Sequence, residues 1–87
     1  MQELPDRPPE IDYPARWGYR LIGPDTDALR AAVAEVVGER DHELRPSNTS
    51  AGGKYHSFAL ELVVDDEAQR LGFFEAFRAH PAVVYVL

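Results

Sequence analysis

Lys54-Tyr55-His56-Ser57-Phe58-Ala59-Leu60-Glu61-Leu62-Val63-Val64 is the stretch whose reading decides the fold. Phe58, Leu60, Leu62 and Val64 alternate with Ser57, Ala59, Glu61 and Val63, and a period of two puts the first four on one face of a β-strand. Just upstream, Ser50-Ala51-Gly52-Gly53 supplies the glycines that left-handed turn positions require, so the strand is entered through a hairpin. Just downstream, Asp65 and Asp66 can cap a helix by accepting its first free amide protons, and Glu67 complements the positive end of the helix dipole.

Working outward, His42 to Thr49 reads as the other strand of the hairpin. Pro46 interrupts it, and a residue that cannot donate to a ladder points to a sheet edge or a bulge. From Trp17 to Ile22 a further strand carries Trp17, Tyr19 and Leu21 on one face, the one expected to be buried. Gly23-Pro24-Asp25 ends that strand, with Asp25 or Thr26 as cap of a helix in which Leu29, Val33, Val36 and Val37 recur at helical spacing. Gly38 closes this helix. Beyond Glu67, Leu71, Phe73, Phe74 and Phe77 form the apolar arc of a second helix that Pro81 terminates. Val83 to Leu87 is a final apolar strand without a polar face, which has to be covered on both sides or shared with a partner.

The order strand, helix, strand, strand, helix, strand is that of an α+β, ferredoxin-like βαββαβ unit, a four-stranded antiparallel sheet with two helices on one face. The first and third strands are then central neighbours, and Arg20 and Glu61 would both lie on the open face, where they could pair. Residues 1–14, with Pro5, Pro8, Pro9 and Pro14 among charged side chains, read as a flexible or extended arm. Residues 15–87 read as one domain.

A chain of 87 residues has room for one core, and 45% apolar against 28% charged residues is an ordinary globular composition. The net charge of −6 gives a long-range field that repels nucleic acid and anionic lipid and favours basic partners. Cysteine is absent, which removes thiolate chemistry and fits a reducing compartment. No run approaches the roughly 20 apolar residues of a membrane span, and the start lacks the pattern of a signal peptide, so a cytoplasmic location is expected.

Motifs with chemical potential reduce mostly to structure. Gly52-Gly53-Lys54 lacks the glycine spacing, the hydroxyl after lysine and the following helix of a phosphate loop. His56 and Ser57 are adjacent in a strand and point to opposite faces, which denies them a shared hydrogen bond. His56, in register with Phe58 and Leu60, reads as a core-end histidine bonded to nearby backbone. His42, His56 and His80 have no zinc-like spacing. The acidic residues Asp25, Asp27, Asp65, Asp66 and Glu67 sit where helix starts favour them. Trp17, Tyr19 and Tyr55 lack the basic neighbours of an RNA-stacking platform.

Tyr13-Pro14, Tyr19-Arg20-Leu21-Ile22-Gly23, the Ser-x-x-Gly-x-Tyr-His-Ser pattern from Ser50 to Ser57, and Val86-Leu87 together resemble the YbeD-like family, small bacterial proteins described as a domain of unknown function. The resemblance spans Tyr13 to Leu87. It implies a fold similar to ACT domains, ferredoxin-like regulatory modules that often bind small metabolites and pair through their sheets. The chain departs from the pattern at Gly52, where the family usually has a basic residue, at Lys54 two positions later, and in a longer hairpin.

The resulting expectation is a non-enzymatic regulatory or protein-interaction adaptor module, self-associating as a homodimer through the open sheet face or the final strand, without cofactor, metal, nucleic acid or membrane. The alternative is a metabolite sensor with its ligand near the first strand–helix loop. Contact residues for a ligand or partner are Gly23, Asp25, Ser50, Gly53, Lys54, Tyr55, His56 and Ser57. No catalytic residue is assigned.

Overall fold

The computed structural model describes residues 11–49 and 53–87, which form β1 (Ala15–Gly23), α1 (Thr26–Val37), β2 (His42–Thr49), β3 (His56–Val64), α2 (Glu67–Ala79) and β4 (Tyr85–Val86). The strands make one antiparallel sheet in the order β2-β3-β1-β4, so the βαββαβ arrangement and the central pairing of the first and third strands are as expected. Of the proposed arm, residues 1–10 lie outside the described residues.

The alternation in β3 is what builds the core. Phe58, Leu60, Leu62 and Val64 are buried, and β1 sets Leu21, Tyr19 and Trp17 opposite the first three of them. Leu29, Ala32, Val33 and Val37 of α1 and Phe77 of α2 belong to the same cluster, which places both helices over one side of the sheet. Removing a side chain such as Phe77 or Leu60 from water contributes about 1.5–3 kcal/mol. Val83 and Val86 complete the cluster from the carboxyl-terminal segment.

Helix starts follow the acidic signals. Asp25 accepts from the amides of Asp27 at 2.9 Å and Ala28 at 3.1 Å, and Asp66 accepts from Gln69 at 2.7 Å. Gly38 ends α1 at φ 66°, in the half of backbone space that side chains disfavour. Pro46 stands in an edge strand whose register slips between Pro46 and Thr49, because the ladder loses a donor there.

Five expectations need correction. The ladder of β1 extends to Ala15 and Gly23, beyond the expected Trp17 and Ile22, while β3 starts at His56 and leaves Lys54 and Tyr55 outside it. The final strand shortens to Tyr85–Val86, since only these two residues stand in ladder register, opposite Ile22 and Leu21. Arg20 does not pair with Glu61: the register sets Arg20 against Ala59 and Gly18 against Glu61, and Glu61 is taken by Arg16 at 3.2 Å and Arg45 at 3.0 Å. Leu71 is 47% exposed, because the buried stripe of α2 runs through residues 70, 73, 74 and 77 and leaves residue 71 about 100° away.

Candidate functional site

Those of the sequence-derived contact residues that the structure describes gather at one end of the sheet. Gly23 and His56 face each other across the β1–β3 ladder, and Ser57 faces Ile22. Gly53 adopts φ 67° with nothing within 4 Å of where a Cβ would stand, so its backbone angle alone accounts for the glycine. Lys54 is exposed, and Tyr55 follows it at 40% exposure. Ser50 lies outside the described residues. His56 is half-buried at the end of the core face as expected, although no hydrogen bond from its ring to nearby backbone is found among the described residues.

The first strand–helix loop is closed by its own chain. A Cβ on Gly23 would stand 2.3 Å from the carbonyl oxygen of Ala82, so the glycine admits the close approach of the segment leading into β4. The Asp25 carboxylate already occupies the Asp27 and Ala28 amides that a ligand carboxylate would need. The Ser57 hydroxyl oxygen is buried and finds no hydrogen-bond partner among the described residues.

A different cluster, which the sequence alone did not single out, joins β1 to α2. The Arg70 guanidinium stacks 4.7 Å from the centroid of the Trp17 ring, and its Nε donates to the Tyr13 hydroxyl at 2.9 Å. Tyr19 donates its hydroxyl to the Arg70 carbonyl at 2.7 Å and meets Phe73 edge-to-face at 6.5 Å. Burial pushes the Tyr19 phenol above its ordinary value of 10.0, with the Arg70 charge opposing. The hydrogen bond to Tyr13 pushes the Arg70 guanidinium further up. Beside this cluster opens a recess of about 320 Å³ lined by Trp17, Tyr19, Arg70, Leu71, Phe74 and Leu87. Its legible signal was Arg70 itself, a cation at helical spacing from Phe73, Phe74 and Phe77 on an apolar stripe.

A second recess of about 330 Å³ lies over Arg16, His42, Glu43, Glu61 and Val63. There Arg16 bridges Glu43 at 3.4 Å and Glu61 at 3.2 Å, while Asp41, also in the lining, enters no ion pair among the described residues. Among the described residues no group of three or more His, Cys, Asp or Glu side chains is placed to hold a metal, and no helix is long and apolar enough to cross a membrane.

Residues 8–87 match the family described as Protein of unknown function (DUF493). The chain belongs to this family. The YbeD-like resemblance is consistent with it, and the relatives below carry no assigned activity. The uncharacterized protein Cj0253 of Campylobacter jejuni is 35% identical over 82% of this chain and 82% of its own length. An uncharacterized protein of Helicobacter pylori strain J99 is 32% identical, covering 91% of this chain and 92% of that one. Among solved structures, protein HP0495 of Helicobacter pylori superposes with a TM-score of 0.81 at 28% identity, over 100% of this chain and 98% of that one. The ACT domain from GTP pyrophosphokinase of Chlorobium tepidum superposes with a TM-score of 0.59 at 18% identity, over 83% and 94% of the two chains, a likeness of fold alone.

Proposed function

We propose that the chain is a non-enzymatic regulatory module that acts by protein association, with a second copy as the partner and the β4 margin of the sheet as the contact surface. The observation that carries this reading is the exposure of Val84, Tyr85 and Leu87 at 56%, 62% and 65%, three apolar positions on and beside the edge strand β4. Residues 81–87 include no charged side chain, so two copies meet there without opposing like-charged side chains even though each chain carries −6. An ACT-like fold is in keeping with this role, since the Chlorobium example is a domain of a GTP pyrophosphokinase. A non-enzymatic reading is supported by His56 and Ser57, which project to opposite faces, and by a candidate loop whose amides Asp25 already holds.

Sedimentation equilibrium over a range of concentrations tests this. A reversible dimer is expected, strengthened by added salt because salt screens the repulsion between two −6 chains. Val84→Glu with Tyr85→Glu should return it to monomer. A wild-type chain that stays monomeric at every concentration and salt level removes the proposal.

A further inference from the structure

The turn between α2 and β4 is held by the ring of His80, the residue that caps the end of α2. Its Nδ1 accepts the Ala82 amide proton at 3.1 Å, and its Nε2 faces the Glu35 carboxylate of α1. The turn is closed by the Val83 amide, which donates to the His80 carbonyl at 3.0 Å, and one residue later the Val84 amide donates to the Ile22 carbonyl at 2.8 Å, joining the chain to β1. The imidazole, 18% exposed, thus ties α1 and the turn to the start of the margin that Val84 and Tyr85 form.

These two contacts fix the state of the ring. A nitrogen that accepts from an N–H carries no proton of its own, so the neutral ring has its hydrogen on Nε2, which donates it to Glu35. A second proton enters at Nδ1, where it meets the Ala82 N–H, and two donors cannot share a bond. The contact with Glu35 persists in both states, because Nε2 donates in both, and it becomes charge-assisted when the ring is charged. The contact with Ala82 exists in the neutral state alone. Among the described residues no further charged side chain bonds or pairs with the ring. On α1, Asp27 is exposed and Arg30 stacks over Phe58 at 5.0 Å; on α2, Arg78 pairs with Glu75 at 3.6 Å; and Asp25, before α1, holds the amides of Asp27 and Ala28. β1 brings the neutral Ile22 and Gly23 to this turn.

We propose that His80 is a proton-operated latch on self-association: its neutral ring fastens the turn and sets the β4 margin for a second copy, and its charged ring releases Ala82 and loosens that margin. The release is felt where β1, α1 and the approach to β4 meet, because the carbonyl of the same Ala82 lies against Gly23. The form with the loosened turn is the one that binds the extra proton, so falling pH favours the separated chains. This rests on the reading of the β4 margin as the contact between copies and adds its regulation.

Asparagine at residue 80 supplies the comparison, since its side-chain oxygen accepts from the amide two residues on, as Nδ1 does, and takes up no proton. Sedimentation equilibrium of wild type and His80→Asn is run at matched salt at about pH 8 and about pH 5, either side of the range in which histidine titrates. Equal dimers are expected at the higher pH and a wild-type dimer about fivefold weaker than that of His80→Asn at the lower, the size of one net hydrogen bond. Both proteins keep His42, His56 and every carboxylate, so their difference isolates residue 80. The same pH dependence in both overturns the latch. NMR reads the ring itself on Val84→Ser, Tyr85→Ser, which removes the apolar margin without adding charge beside the ring. The Nε2–H tautomer is expected at about pH 8, with the Ala82 amide shifting along the ring's own titration. An Nδ1–H tautomer, or an Ala82 amide that stays still while the ring titrates, overturns the proposal. A wild-type chain that never dimerises fells the reading of the margin, and the spectra alone then uphold or overturn the latch.

Discussion

Gly23 and the carbonyl of Ala82 stand so close that a single added carbon on residue 23 would lie 2.3 Å from the oxygen, with Leu29 Cδ2 3.0 Å away on the other side. The end of β1, the start of α1 and the approach to β4 are locked together at this point. The Ala82 oxygen belongs to the backbone and cannot swing aside as a side-chain end could, and Leu29 is fully buried. Gly23→Ala is expected to destabilise the fold by about 1–3 kcal/mol, in the range of overpacked cores. Urea denaturation measures it, and an unchanged midpoint would show that this end of the sheet is looser than the contacts imply.

Ser57 offers the opposite case. Its hydroxyl oxygen is buried and unsatisfied among the described residues, so Ser57→Ala removes a desolvated polar atom without taking away a hydrogen bond seen there. The variant should be as stable as the wild type or more stable, by up to about 1 kcal/mol. A loss of that size on thermal denaturation would mean the hydroxyl is used after all.

The stripe of α2 can be checked by pairing two substitutions. Phe77 is fully buried, and Phe77→Ala should cost about 3–5 kcal/mol through lost transfer energy and the cavity left behind. Leu71, half exposed at the recess rim, should cost less than about 1 kcal/mol as Leu71→Ala. Equal costs would contradict the helix phase described above.

Tyr19 confers a dependence on alkaline pH. Burial raises its folded pKa above 10.0, so the native state keeps a proton that the unfolded chain releases. Its contribution is complete below pH 10.0 and declines as pH climbs through and past that value. Denaturation midpoints should therefore fall more steeply in this range for the wild type than for Tyr19→Phe. Matching slopes would assign the alkaline loss to other groups.

The outline of this molecule was written locally. The alternation from Phe58 to Val64, the glycine at residue 53, the caps Asp25 and Asp66 and the stop at Gly38 each depend on neighbours within a few residues, which is why the element order and the buried face of β3 could be read from the chain. Candidate contacts were legible in type but not in use: Gly23 and His56 do meet, yet Gly23 is filled by Ala82 and Asp25 by its own helix.

What only the tertiary structure decided was which strangers in sequence became neighbours. Whether Glu61 meets Arg20 or Arg16 depends on a ladder register, and shifting it by two residues changes every partner while keeping the same residues buried. The Arg70–Tyr13 contact spans 57 residues, and β4 meets β1 through Leu21 and Ile22, far from it in the sequence. Hydrophobic periodicity fixes which side of an element is dry, since that depends on spacing alone. It is silent on how far one strand overlaps the next, because overlap is settled by the packing of all six elements at once.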